Sequence, residues 1–269
     1  MLPDGTINVC VSNQYSLPSY TSEVTSQGIL GERVEILEHL PPFTRIRQVD
    51  GYESWVSTEQ ICQGLVADGF EIKVKSHFVR IHREPSILSE GIRDAVIGCI
   101  LTAVTEEGGW YMVVLPDGLN GWVEKKHFGV FPEFFAENVI AQAREFMGYQ
   151  YSWGGRSPKG FDCSGFVQTV FHLLGVTIPR DSWQQQQNNI LSTDYRKAKP
   201  ADLLFFGKTV DCVTHVAISL GDQRFIHASG WVRTNSFKKT DEEFSAHHLR
   251  TFISVNRYNA NPPVNGKKE

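Results

Sequence analysis

The chain has 269 residues, 41% hydrophobic and 21% charged, which describes an ordinary globular protein with room for one large or two to three small cores. A net charge of −4 and a pI near 6.1 give no electrostatic case for nucleic acid or an anionic membrane as partner. Five cysteines, an odd number with no C-x-x-C pair, argue against a disulfide framework or a zinc knuckle.

Met1-Leu2-Pro3-Asp4 does not read as a signal peptide, and no stretch approaches the roughly 20 apolar residues that span a bilayer. A chain trimmed of a signal would look the same, so the sequence leaves periplasm or cell envelope open against cytoplasm. Cys10, Cys62, Cys99 and Cys212 stand in apolar or turn contexts and are expected to be buried thiols.

The first half contains a repeat. Pro18-Ser19 recurs as Pro85-Ser86, Leu30-Gly31 as Ile97-Gly98, Asp50-Gly51 as Asp117-Gly118 and Trp55-Val56 as Trp122-Val123, always 67 residues on and without a gap. Each copy alternates in short β-type runs broken by Asp-Gly turns, the pattern of a small antiparallel barrel. Gly121-Trp122-Val123 resembles the closing strand of bacterial SH3-like domains, and the first copy departs from it with Ser54 in place of the glycine. The expected units are a first SH3-like barrel over 1–60, a linker over 61–77 and a second barrel over 78–130.

A third domain is expected over 131–258, with a polar tail at 259–269. It opens on a helical spacing from Phe134 to Met147 stopped by Gly148. A Gly-rich aromatic loop, 151–160, leads to Phe161-Asp162-Cys163-Ser164-Gly165-Phe166 and an apolar helix ending at Gly175. Asp162 suits the N-cap and Gly175 the C′ position. Cys163 therefore falls on the first turn, where the helix end favours thiolate, although a cysteine there can also simply fill the helix–loop junction. A second helix follows Pro179, with Gln184 to Gln187 expected on a solvated face. Strands are expected at 203–206, 214–220, 224–228 and 252–258, the middle two joined as a hairpin near Asp222.

That hairpin brings His215 and His227 to within a residue or two of one rung. His215 can then present one ring nitrogen to Cys163 while His227 holds the other; the rival is a pair of core histidines satisfied by backbone.

Tyr151-x-Trp153-Gly154-Gly155, Asp162-Cys163-Ser164-Gly165-Phe166, Thr214-His215-Val216-Ala217-Ile218 and Ile226-His227-Ala228 together resemble NlpC-type cysteine peptidases, cell-wall hydrolases with a reduced papain-like fold. The resemblance implies an α+β chain: a papain-like cysteine peptidase domain preceded by two small all-β SH3-like barrels. It implies Cys163 as nucleophile, His215 as base, His227 as orienting residue and Tyr151 as an oxyanion donor beside the Cys163 main-chain N–H.

The whole arrangement resembles γ-D-glutamyl-L-diamino acid endopeptidases. This implies a peptidoglycan stem peptide, L-Ala-γ-D-Glu-diaminopimelate, as partner, cut after the D-Glu without metal or cofactor. Asp162 and Ser164 are implied around the D-Glu. Asp181 and Ser182, with Tyr52 of the first barrel, are implied at the free amine of L-Ala. A carboxylate there would offset the desolvation of a primary amine, while a helix cap at Asp181 and a surface aromatic at Tyr52 are the rival readings. Some relatives add an acidic residue from the first barrel; Glu23 and Glu53 are the candidates here. Two other functions stay open: a peptidoglycan-binding protein with a weak site, and an amidase or acyltransferase using the same thiol. A monomer is expected.

Overall fold

A computed structural model describes residues 4–63, 68–187 and 190–258; the tail expected at 259–269 lies outside the described residues. Backbone contacts divide the chain into two compact units, 1–131 with 153–160, and 132–152 with 161–269.

The first unit holds the repeat. Strands β1 (Asp4–Ile7), β2 (Val11–Tyr15), β3 (Val24–Ile29), β4 (Arg33–Leu40), β5 (Phe43–Arg47), β6 (Glu53–Ser57) and β7 (Ile61–Gln63) form one sheet in the order β3-β2-β6-β5-β4-β1-β7. Strands β8 (Phe70–Lys73), β9 (Phe78–His82), β10 (Gly91–Val96), β11 (Ile100–Glu107), β12 (Trp110–Val114) and β13 (Asn120–Glu124) form the second, ordered β10-β9-β13-β12-β11-β8. Apart from β7 at the edge of the first sheet the two orders are the same, and β2–β6 fall 67 residues before β9–β13, as the repeat requires.

The stretch read as a linker is corrected: β7 closes the first sheet and β8 opens the second. Asp-Gly-Thr-Ile and Phe-Glu-Ile-Lys share too little for the repeat to mark them as equivalent first strands. The two sheets also share one buried cluster, in which Cys10, Ile29 and Leu30 pack with Val74, Val96, Cys99 and Leu115.

The departure at Ser54 has a local cause. In the second copy a Cβ at Gly121 would lie 2.5 Å from Ile81 Cγ2. The first copy has Gln14 where the second has Ile81, and Ser54 Oγ donates to Gln14 Oε1 at 3.0 Å.

Segment 153–160 belongs to this first unit. Buried Arg156 donates to the Gln27 carbonyl at 2.8 Å and to Glu32 at 3.2 Å. Gly154 has φ +74, and a Cβ there would stand 2.4 Å from the Val24 carbonyl oxygen, so only glycine fits.

The second unit is helical first and then antiparallel β. Its helices are α1 (Ala136–Glu145), α2 (Cys163–Leu173), α3 (Ser182–Gln187) and α4 (Ala246–Thr251); in sequence α2 is preceded by a short ribbon, β14 (Arg156–Ser157) with β15 (Gly160–Phe161), whose residues up to Gly160 are counted with the first unit. The sheet runs β16-β21-β17-β18-β19-β20, from β16 (Ile190–Ser192), β17 (Leu203–Gly207), β18 (Val213–Gly221), β19 (Arg224–Ser229), β20 (Trp231–Ser236) and β21 (Phe252–Asn256). Helix α2 packs on β18 and β19, and α1 packs on α2.

Buried faces explain the layering. Every residue of α2 but His172 is buried, so it is the central helix. Its far end closes as a Schellman motif: Gly175 has φ +82, and the N–H groups of Gly175 and Val176 bond the His172 and Phe171 carbonyls at 3.0 Å each. The β18–β19 hairpin turns through Asp222 and Gln223, both at positive φ, as a two-residue mirror-type turn demands.

Two other expectations are corrected. The glutamines of α3 are a solvated face only in part: Gln187 is exposed and Gln184 half-buried, but Gln185 and Gln186 are buried, and Gln185 Nε2 donates to the carbonyls of Pro179 (2.8 Å) and Ser164 (3.2 Å). Cys212, just before β18, is exposed, and Cys62, on edge strand β7, is half-buried; Cys10 and Cys99 are buried.

Candidate active site

Cys163 begins α2, and its position follows from the cap. Asp162 is extended, and its Oδ1 accepts from the Gly165 N–H at 2.7 Å. The same carboxylate is held by Arg180, Nη2 to Oδ2 at 2.5 Å and Nη1 to Oδ1 at 3.1 Å, while Nη1 also reaches Ser164 Oγ at 2.8 Å. Arg180 and Asp162 are both buried, so this is a desolvated, forked ion pair that ties the start of α2 to the segment before α3. Nothing in the residue pattern pointed to Arg180.

The thiol does not behave as the helix end alone predicts. Burial, followed by the Asp162 charge, pushes Cys163 up to about 12, against opposing help from the Val216 and Ser164 main-chain amides and Arg180. Desolvation of a thiolate outweighs half a charge of helix dipole, so the resting group is a thiol. The Val216 amide bonds the sulfur and follows His215 directly, which sets Cys163 beside the start of β18.

The β18–β19 register pairs Ile218 with Ile226. Continued, it sets His227 opposite Ala217, diagonal to His215 on the same face. Their rings meet: His215 Nε2 lies 2.7 Å from His227 Nδ1. Beyond them, His227 Nε2 lies 2.9 Å from Asn235 Oδ1 on β20, and Asn235 Nδ2 donates to the Glu243 carbonyl at 2.9 Å.

That last bond fixes the direction of the whole chain. A carbonyl only accepts, so Asn235 must turn its amide nitrogen to Glu243 and its oxygen to His227. His227 then carries its proton on Nε2 and accepts at Nδ1 from His215 Nε2–H. The remaining nitrogen of His215, Nδ1, keeps a lone pair. Sequence reasoning missed Asn235, because a single polar residue in an alternating strand carries no signal of what it touches.

All three imidazoles nearby are neutral at ordinary pH. Burial, and the unfavourable pairing with the adjacent His227 ring that protonation would bring, hold His215 well below its usual value. Burial and His248 lower His227 to about 3, and burial and His247 lower His248 to about 4. His248, on α4, packs its ring 4.7 Å from that of His227 and 5.6 Å from that of His215.

Tyr151 is half-buried, its hydroxyl held above its usual range by burial and by the nearby Cys163 and Asp162. Asp181 stands just before α3: its main-chain N–H donates to Gln184 Oε1 at 3.2 Å, the returning arm of a capping box, and its carbonyl accepts from Gln185 N at 2.9 Å. Ser182, the first residue of α3, is buried. Thus Tyr151, Asp162, Cys163, Ser164, His215 and His227 gather around the start of α2.

Tyr52 lies in the other unit, half-buried in the Asp50-Gly51 turn, its N–H bonded to Asp50 Oδ1 at 3.0 Å. Of the two acidic candidates in the first barrel, Glu53 is bound by Arg45 and Arg47, and Glu23 accepts from Trp153 Nε1 at 2.7 Å.

Comparison with known proteins agrees with this geometry. Residues 148–253 match the model of the NlpC/P60 family. The chain is 32% identical to a gamma-D-glutamyl-L-lysine dipeptidyl-peptidase of Bacillus cereus over 221 residues, 77% of this chain and 64% of the relative, so it spans less than two thirds of that protein. It is 29% identical to dipeptidyl-peptidase 6 of Lysinibacillus sphaericus over 236 residues, 81% of this chain and 85% of the relative. A crystal structure of an NlpC/P60 family protein from Bacillus cereus superposes with a TM-score of 0.81 at 22% identity, covering 95% of this chain and 99% of that one, which shows the shared fold.

Proposed function

The chain carries an NlpC/P60 domain, and from that premise we propose that it is a cysteine endopeptidase of bacterial cell-wall peptides, cutting between γ-D-Glu and the diamino acid of a stem peptide whose L-Ala amine is free. The observation that carries the reading is the one-directional chain from Asn235 through His227 to His215, which leaves a basic nitrogen on the strand beside the Cys163 thiol. The names of the relatives support the choice of bond.

In this reading Cys163 Sγ attacks the γ-carbonyl carbon while its proton passes to Nδ1 of His215. The imidazolium is steadied through His227 and Asn235. The oxyanion is met by the Cys163 main-chain N–H and the Tyr151 hydroxyl, which burial keeps protonated and able to donate. Collapse expels the diamino acid's amine, which takes the proton from His215, and leaves a γ-glutamyl thioester. Water, losing a proton to His215, then releases the D-Glu γ-carboxylate and the thiol. Asp162 and Ser164, held in place by Arg180, flank the acyl group, and Asp181, Ser182 and Tyr52 are the groups that read the amine.

The test is product analysis on synthetic L-Ala-γ-D-Glu-diaminopimelate and its L-lysine counterpart. L-Ala-γ-D-Glu and the free diamino acid are expected from the parent protein and neither from Cys163→Ala. Release of another fragment, or turnover by Cys163→Ala, would overturn the bond or the nucleophile respectively.

A further inference from the structure

His248 has no part in the chemistry just described, yet its ring completes a set. The ligand nitrogens of His215, His227 and His248 all lie within 4.8 Å of one another. We propose that these three histidines form a site for a divalent transition-metal ion of the zinc class, and that its occupation switches hydrolysis off by taking His215 from the thiol. The metal site stands independently of the peptidase reading; only the switch rests on it.

The donor set suits the metal. Three imidazoles are a known zinc arrangement with a fourth position left open. Histidines that bind metal usually donate their other ring N–H to an oxygen, which fixes the ring. Two of these are so held: His248 Nδ1 lies 2.7 Å from Ser245 Oγ, which leaves Nε2 for a metal, and His227 Nε2 lies 2.9 Å from Asn235 Oδ1, which leaves Nδ1. His215, the third, is half-buried at the open side of the cluster.

The fit costs something. Tetrahedral ligands at the usual Zn–N bond of about 2.0 Å lie about 3.3 Å apart, so the widest pair has to close by roughly 1.5 Å from the present limit of 4.8 Å. The His215–His227 hydrogen bond must also open, because a metal at Nδ1 of His227 displaces the proton that His215 places there. The guanidinium of Arg233 acts on all three rings and opposes a dication. These terms make the site weaker than a preformed one, which keeps its occupation reversible. The loss of activity has a direct cause: an imidazole whose lone pair is on a metal takes no proton from a thiol.

The experiment uses the full chain carrying Cys212→Ser, stripped with EDTA, and titrates it with zinc chloride by calorimetry and with cobalt chloride by visible absorption. One equivalent is expected to bind, with cobalt d–d bands and no thiolate charge-transfer band. Cys163→Ala should bind the metal unchanged. His248→Phe, which keeps a ring among Phe206 and Phe225, and His248→Gln should each bind more than about 100-fold more weakly, beyond the 10–100-fold typical of losing an outer partner. Undiminished binding by both folded His248 variants, or its loss in Cys163→Ala, would overturn the site, the latter by showing a thiolate–His215 site instead. Hydrolysis should fall along the same zinc titration and return with EDTA; full activity at saturating zinc would overturn the switch. Because binding in Cys163→Ala is read without any substrate, failure of the site and failure of the peptidase reading give different results.

Discussion

At the scale of single residues, the site couples a buried neutral thiol to a neutral imidazole. Cys163 is pushed up to about 12 and His215 is held well below its usual value, so neither charge of a thiolate–imidazolium pair is present at rest. The sign is direct: the thiolate fraction should rise about tenfold per pH unit throughout the neutral range. In Cys212→Ser protein, alkylation of Cys163 by iodoacetamide, followed by mass spectrometry, should climb steadily to at least pH 9. A plateau beginning near neutrality would show an ion pair instead. Asn235→Ala removes the acceptor that sets the tautomer of His227. It should lower kcat by roughly 10²-fold with little change in KM, as expected of a group that acts on the transition state through another. An effect confined to KM would make Asn235 a binding or structural residue.

At the scale of elements, the start of α2 is anchored by one buried ion pair. Arg180 and Asp162 are both desolvated, and the carboxylate also caps the helix. Removing one member strands the other charge. Arg180→Met is therefore expected to lose about 3–5 kcal/mol of unfolding free energy in urea titration, and adding Asp162→Asn should restore much of it. A neutral single variant would mean that the pair is replaced by water. The opposite end of α2 makes a smaller contribution: Gly175→Ala forces a side chain into φ +82, costing about 1 kcal/mol or slightly more.

For the whole molecule, the buried histidines couple folding to pH. The folded values, about 3 for His227 and about 4 for His248, lie under the unfolded value near 6.5. The unfolded chain thus binds more protons below that value. The stability is fully present above about pH 6.5 and is lost as pH falls toward 4, by about 1.4 kcal/mol per unit for each group. Melting followed by circular dichroism in EDTA should show Tm dropping over this window, with a shallower slope in His248→Phe. A flat Tm would show that the rings are charged when folded. N-acetylation of L-Ala should cost roughly 10²-fold or more in kcat/KM through a lost charge-assisted contact. Asp181→Ala and Tyr52→Phe should each narrow the gap, and equal rates on free and acetylated tripeptide would show that neither reads the amine.

The sequence by itself determined what is local or periodic. The 67-residue repeat announced two like sheets, since equal spacing of turns and apolar alternation needs no partner to be read. Asp162 and Gly175 marked both ends of α2, because caps act within one turn of chain. The hairpin put His215 and His227 on one face because its period is two and its turn is short. Only the tertiary structure decided the rest. Strands β7 and β8 were hidden in a supposed linker, being too short for their alternation to register until a sheet edge paired them. Gln185 and Gln186 are buried with their amide nitrogens bonded to acceptors that the local pattern does not show, the Ser164 carbonyl 21 residues back and the Ser254 hydroxyl 68 residues on. Arg180, Asn235 and His248 acquire their roles from atoms 8 to 33 residues away, across a helix and three strands. The thiol's resting state was likewise beyond the sequence: the helix dipole can be read from one element, but desolvation depends on every element that covers the sulfur.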